Sequence, residues 1–262
     1  MIGIVAVNVN VAINTFREAI RDRVLYNLVF FALLMISAAL PVGQISLGIE
    51  RLVIINLGLT SISVFGLVMA IFLGVGLIHK EMDKRTLYAL LAKPIRRWEF
   101  LVGKFAGLVL TLAVNTVFMT FGLAVALFAV GRRFETSDVS ILTAVYFILL
   151  SLALVTGIAL FFSSFSTPML STLFTLSIYI AGLFAADIRA FGGITENRPA
   201  VMVTSVCSYL LPNFRNFNVM AAVAHGRGVP WRLVGGNTAY AGLYLVAILV
   251  GASLIFRHRE LK

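Results

Sequence analysis

The stretch KEMDKRTLYALLAKPIRRWEFLVGK, Lys80 to Lys104, is a charged segment between two strongly apolar parts of the chain. A charge at the centre of a membrane span costs about 3 kcal/mol on insertion scales. We therefore expect this segment to lie in water beside a membrane, and the apolar segments on either side of it to cross that membrane.

Composition supports a membrane protein. The 262 residues are 60% hydrophobic and 12% charged, whereas soluble domains are about 25% charged. Since a spanning helix needs about 20 apolar residues, the sequence predicts an all-α, polytopic protein with six transmembrane helices, none containing Lys, Arg, Asp, Glu or His. The predicted spans are 24–42, 52–78, 105–130, 140–162, 169–186 and 238–256.

The distribution of basic residues predicts the orientation. Thirteen of the 21 Lys and Arg residues lie near the two termini and in the Lys80 to Lys104 segment. Basic loops favour the cytoplasmic side, so we expect both termini to be cytoplasmic. We also expect the membrane to be the inner membrane of a prokaryote. The net charge of +10 is explained by attraction to anionic lipids, and we expect no nucleic-acid partner.

The segment before the first span, residues 1–23, is predicted to contain an amphipathic helix in the membrane interface. Ile13, Phe16, Ile20 and Val24 share one helical stripe, with polar residues on the other side. Two interpretations remain open: this helix is only an anchor, or it also contacts a partner.

The charged segment contains a short apolar stripe. Leu87, Leu90 and Leu91 have the spacing of neighbours on one helical face, and Pro94 ends the helix because it disfavours helical geometry at Lys93. The stripe is typical of an amphipathic connector or of a short helix that docks in a groove on a soluble subunit.

These residues resemble a known family. The positions that carry the resemblance are Glu81, Thr86-Leu87, Leu90-Leu91, Pro94-Ile95, Arg97 and Gly103-Lys104, followed by SSFSTPM at Ser163 to Met169. The pattern is similar to that of type-two ATP-binding-cassette (ABC) permeases of the six-span exporter class. The resemblance implies one permease domain over residues 1–262, with a cytoplasmic coupling loop at 79–104.

The resemblance also implies partners. The coupling loop would dock on a separate ABC ATPase subunit, which binds ATP and Mg, and the permease would pair with a second, identical or different, permease. The ATPase-coupling candidates are Glu81, Thr86, Leu87, Leu90, Leu91, Pro94 and Arg97.

The residues themselves predict that the ATPase activity lies on another chain. Gly103-Lys104 lacks the first glycine and the final Ser or Thr of a phosphate-binding loop, so we expect no cofactor here. The eight Met residues are scattered, so we expect no metal site. The alternatives are a membrane scaffold that recruits a soluble partner and an ion-coupled carrier. Asn56 and Asn115 are expected to form interhelical hydrogen bonds rather than bind substrate.

The outer segment, residues 187–237, is the second informative region. Val201 to Leu211 is apolar but too short to cross, which predicts a re-entrant or interfacial helix. A second short helix is predicted from the stripe of Phe214, Phe217, Ala221 and Ala224, closed by Gly226. We expect this segment to be either an outer gate, with Phe214 and Phe217 as candidates, or a packed cap.

Glycine is frequent in the second, third and sixth predicted spans. Small residues let helix backbones approach closely. We expect part of this surface to face other spans of the same chain and part to form a dimer.

Overall fold

The computed structural model describes residues 11–17, 30–31, 34–35, 37, 50–83, 97–131, 139–194, 201–202, 204, 206 and 210–258. Every regular element in these ranges is a helix, which confirms the all-α class. A helical stretch at 11–17 precedes the longer elements. These are α1 (Glu50–Asp83), α2 (Arg97–Gly131), α3 (Val139–Ser163), α4 (Pro168–Leu183), α5 (Ala185–Ile194), a 3₁₀ helix (Phe214–Phe217), α6 (Met220–Ala224) and α7 (Trp231–His258).

Four of the described helices are long and apolar enough to cross a membrane. Their spanning parts are Glu50–Gly76, Trp98–Ala129, Val139–Ser163 and Trp231–Ile255, which correspond to the second, third, fourth and sixth predicted spans. The first predicted span, 24–42, lies mostly outside the described residues, although its described positions are helical. The count of six therefore stays a prediction.

The fifth predicted span, 169–186, is wrong at its C-terminal end. Helix α4 has 16 residues and is about 24 Å long, shorter than the roughly 30 Å hydrocarbon core. It stops at Leu183, where the Phe184 N–H bonds to the carbonyl of Ala181, and α5 begins at Ala185. The break comes just after Gly182, whose Cα lies so close to the Pro212 carbonyl and the Phe214 ring that an added Cβ would collide with both.

Helix α3 is the central helix of the described bundle. It has no charged residue along its length, so it can be buried on all sides. It packs against α1, α2, α4 and α7. In its most apolar stretch of 18 residues, 61% is buried, whereas the buried share of the corresponding stretch of α7 is 11%. The other helices are therefore arranged around α3, with α7 at the periphery.

Glycines of α1 let it pack closely on its neighbours. A Cβ built at Gly66 would lie 2.6 Å from a methyl group of Leu152 in α3, and one built at Gly58 would collide with Leu123 in α2. Real side chains do not approach so closely, so a larger residue at either position would displace the leucine side chain that it meets. The expectation that small residues face other spans of the same chain is confirmed here.

Candidate functional site

The predicted coupling loop, 79–104, lies between α1 and α2. Helix α1 continues to Asp83, so the backbone of Glu81 is helical, and α2 begins at Arg97. The loop is therefore attached on both sides to long helices that contain membrane-spanning segments. The other coupling candidates lie outside the described residues: Thr86, Leu87, Leu90, Leu91 and Pro94.

The expectation that the whole loop lies in water is wrong at Glu99 and Lys104. These side chains are only 5% and 6% exposed, and the Lys104 Nζ lies 5.5 Å from the centre of the Phe100 ring. The reason is that α2 begins at Arg97, so both residues belong to the first turns of a packed helix. Two charged side chains are thus buried at the start of α2.

The helical stretch at 11–17 packs on α2 at Gly107. A Cβ built there would lie 2.6 Å from the Ala12 carbonyl oxygen and 2.6 Å from the Thr15 Cβ, and Thr15 is fully buried. Ile13, part of the predicted apolar stripe, is instead 39% exposed. Small residues therefore hold the stretch on α2 and leave this apolar side chain available to lipid. Ile20 and Val24, also in that stripe, lie outside the described residues.

The C-terminal part of α1 is fixed to α3. A Cβ built at Gly74 would lie 2.7 Å from the Cβ of Ala159, and the Ser163 Oγ donates a hydrogen bond of 3.1 Å to the Val75 carbonyl. Hereafter, "coupling base" means this contact together with the start of α2 and residues 11–17. These contacts lie on the two helices that carry the loop.

The SSFSTPM segment, Ser163 to Met169, forms the turn between α3 and α4. The Ser164 Oγ donates to the Phe161 carbonyl at 2.6 Å, and Pro168 is the first residue of α4. These serines stabilise a turn and a helix contact, which is the structural role that a sequence without a nearby histidine predicts.

Phe214 and Phe217, the outer-gate candidates, lie together in the 3₁₀ helix. Both side chains are buried. The Phe214 ring lies 4.9 Å from that of Tyr179 in α4, and the Phe217 ring lies 6.2 Å from that of Tyr240 in α7. The 3₁₀ helix and α6 also pack on α3, and α6 packs on α1. We call residues 212–226 the outer cap.

Hydrogen bonds from α7 hold the outer cap. The Asn213 N–H donates to the Tyr240 hydroxyl at 2.9 Å, and the Asn237 Nδ2 donates to the Asn216 carbonyl at 2.8 Å. Sequence reasoning missed Asn213, Asn237 and Tyr240. No sequence signal could have paired them, because the partners are 21 and 27 residues apart and lie in unrelated elements.

The predicted helix with Phe214, Phe217, Ala221 and Ala224 on one stripe is wrong as a single helix. Its residues form two pieces, the 3₁₀ helix and α6. The Asn213 side chain accepts from the Arg215 N–H and caps the first piece, and Asn218 then leaves helical geometry at φ −88° and ψ 88°. Gly226 has a φ of 70° just after α6, so the predicted closure by glycine is confirmed.

An ion pair joins the outer cap to α5. The Arg215 Nη1 lies 2.7 Å from the Asp187 Oδ1, and both side chains are well exposed. This pair connects the start of the outer segment, 187–237, to the outer cap within it. In the middle of that segment, residues 201, 202, 204, 206 and 210 are helical, in agreement with the short helix predicted there.

The two membrane asparagines behave differently. Asn56 Nδ2 donates to the Leu52 carbonyl of its own helix at 3.1 Å, so the expectation of an interhelical bond is wrong there. Asn115 Nδ2 lies 2.7 Å from the Met69 Sδ of α1, so the interhelical contact is confirmed at Asn115. Within the described ranges, no three His, Cys, Asp or Glu residues are grouped as metal ligands would be.

Comparison with known proteins supports the resemblance at the level of the family. A search of curated proteins finds no match. The family model described as "ABC-2 family transporter protein" matches residues 9–261, which is nearly the whole chain. The match covers the coupling base, all four candidate spans and the outer cap. The chain therefore belongs to the ABC-2 transporter family and is a multi-pass membrane permease of an ABC transporter.

Proposed function

We propose that this permease forms the substrate path of an ATP-driven exporter and receives the motion of an ABC ATPase subunit through the coupling loop, 79–104. The observation that carries the proposal is that α1 runs without a break from its membrane span to Asp83, and α2 from Arg97 into the next span. A partner that pushes on the loop therefore acts directly on two spanning helices, because a continuous helix transmits displacement along its axis.

The proposed contact with the ATPase is a helix in a groove. Leu87, Leu90 and Leu91 supply the apolar face, and Thr86 and Pro94 bound it. Glu81 and Arg97 lie where the loop joins α1 and α2 and carry opposite charges. ATP and Mg belong to the ATPase subunit in this proposal.

The transporter is proposed to contain two permeases, identical or paralogous. Helix α7 supports this, because it is the least buried of the four candidate spans. Leu243, Val246, Val250 and Leu254 are exposed along one side of α7. A second permease would cover part of the exposed apolar surface, and membrane lipids would cover the rest. The outer cap, with Phe214 and Phe217, is the proposed outer gate between the halves.

The decisive experiment uses the permease co-expressed with the ABC ATPase from its own gene cluster. The double substitution Leu87→Asp and Leu91→Asp puts two charges on the apolar face that is proposed to contact the ATPase. A small interface centre of this kind contributes about 2 to 4 kcal/mol, so we expect co-purification and transport-linked ATP hydrolysis to fall more than tenfold. The matched control, Leu87→Met and Leu91→Met, keeps the stripe apolar and should retain both.

Two results would contradict the proposal. Normal co-purification and transport in the Asp variant would remove the loop from its role. A parental complex that assembles but moves no substrate under ATP hydrolysis would favour a scaffold that only recruits the ATPase.

Orientation is tested by cysteine labelling in a Cys207→Ser background. With both termini cytoplasmic, cysteines at Lys84 and Lys262 are protected from a membrane-impermeant thiol reagent in intact cells, whereas a cysteine at Thr195 reacts. Reaction at Lys84 in sealed cells would reverse the proposed topology.

A further inference from the structure

The two helices attached to the coupling loop meet inside the bundle at Asn115. Its side chain is 1% exposed and lies well within the spanning part of α2. The amide Nδ2 faces two thioether sulfurs, 2.7 Å from Met69 Sδ in α1 and 3.7 Å from Met119 Sδ one turn further along α2. Thioether sulfur is a weak acceptor, so this contact between α1 and α2 is a weak one.

The amide oxygen of Asn115 is buried and accepts no hydrogen bond within the described part of the chain. Other buried hydroxyls of the bundle are satisfied within their own helices: Thr111 donates to the Gly107 carbonyl and Thr156 to the Leu152 carbonyl. An unsatisfied polar atom is costly in a membrane interior because no water is available to replace the missing partner. Ser171 Oγ is similarly unsatisfied, but it lies on α4, which does not carry the loop.

We propose that Asn115 is a positioning residue for the coupled movement of α1 and α2. The contact has a second arrangement in which the Asn115 oxygen gains a donor, and displacement of the coupling loop shifts α1 and α2 between the two. This inference rests on the proposed function, since it takes the ATPase as the source of the displacement. The unsatisfied oxygen makes the present arrangement easy to exchange, because any arrangement that supplies a donor removes the cost of the missing hydrogen bond.

The test replaces Asn115 by leucine, which has a similar volume and no polar atoms, in the assembled complex with the ABC ATPase. Because the substitution removes a buried unsatisfied group, thermal stability should stay equal or rise. Transport-linked ATP hydrolysis should nevertheless fall at least fivefold. Asn56→Leu is the matched control, because the Asn56 amide bonds to its own helix, and it should keep the parental rate.

A distance measurement provides the readout that a purely structural role would not change. Spin labels at Gly76 and Trp98, in a Cys207→Ser background, lie at open positions near the two ends of the loop. Double electron–electron resonance should show that the distance between the two labels changes when the ATPase is trapped with ATP. In Asn115→Leu, the distance should be the same with and without trapped ATP.

An Asn115→Leu complex that hydrolyses ATP and changes the label distance as the parent does would overturn the inference alone. So would a fall in activity that is matched by a fall in thermal stability, since that is the signature of damaged packing. If the parental complex shows no transport-linked hydrolysis at all, the proposed function fails and this inference fails with it.

Discussion

The coupling base and the outer cap are held together by different means. In the coupling base, backbones meet directly: residues 11–17 lie on Gly107, and α1 meets α3 at Gly74. In the outer cap, one close backbone contact, between Gly182 and the Pro212 carbonyl, is combined with ring packing of Phe214 and Phe217 and with two hydrogen bonds to α7. Close backbone packing resists deformation, whereas single hydrogen bonds contribute about 1 kcal/mol each and can be exchanged.

This difference suits the two ends to different parts of a transport cycle. Under the proposed function, a rigid coupling base transmits displacement from the loop into α1 and α2 with little loss. Under the same proposal, the cap opens by exchanging its hydrogen bonds with α7. Substitutions that change side-chain volume and substitutions that remove one polar bond measure how much each kind of contact contributes in the two regions.

The largest effect is expected from Phe217→Ala in the cap. Truncating a fully buried phenylalanine leaves a cavity and should lower the free energy of unfolding by about 3 to 5 kcal/mol. Unfolding of the purified permease in mixed micelles measures this loss. Phe121→Ala is the control, because Phe121 is 69% exposed and faces lipid or a partner. Equal losses in the two variants would mean that the cap is not packed on the bundle.

Gly107→Ala in the coupling base should have the next largest effect. The added methyl group has no room beside the Ala12 carbonyl and Thr15, and overpacking of this kind costs about 1 to 3 kcal/mol. We expect lower unfolding stability and reduced transport-linked ATP hydrolysis. Gly76→Ala, where an added Cβ meets nothing within 4 Å, should lower neither, because alanine favours a helix more than glycine does. A Gly107→Ala complex with parental activity would show that residues 11–17 are only an anchor.

The sequence predicted the long elements well, because an uninterrupted apolar run of 20 or more residues has few alternatives to a spanning helix. It was wrong where a local contact decides the outcome. Helix α2 starts at Arg97 and buries Glu99 and Lys104, which charge alone does not predict. The split between the 3₁₀ helix and α6 occurs at Asn218, which leaves helical geometry.

The residues of the candidate site were likewise only partly predictable from the sequence. Phe214 and Phe217 could be selected from their helical spacing, and the structure buries both. The bonds that hold them come from Asn237 and Tyr240, whose distance in sequence hides the pairing. The contact between Asn115 and Met69 joins residues 46 positions apart, so a count of scattered methionines could not reveal it.

Tyr240→Phe tests the polar part of the cap. The substitution keeps the ring against Phe217 and removes the acceptor of the Asn213 N–H. We expect a loss of about 1 kcal/mol in unfolding stability, without a fall in ATP hydrolysis, because the coupling base is untouched. Tyr146→Phe, which removes a more exposed contact with Thr238, should have a smaller effect. Reduced hydrolysis in Tyr240→Phe would mean that the cap also takes part in coupling.

The smallest effect is expected from Asp187→Asn, which removes the ion pair between α5 and the outer cap. The two side chains are 59% and 60% exposed, and exposed pairs contribute at most about 1 kcal/mol because water and salt screen them. The parent should therefore be slightly more stable than Asp187→Asn at ~0.05 M salt and equal to it at ~1 M salt, where the screening length is about 3 Å. Unfolding curves at the two salt concentrations measure this. A difference that persists at high salt would mean that Asp187 is held by a bond that salt does not screen, and the cap would then be more firmly fixed to α5 than a surface ion pair allows.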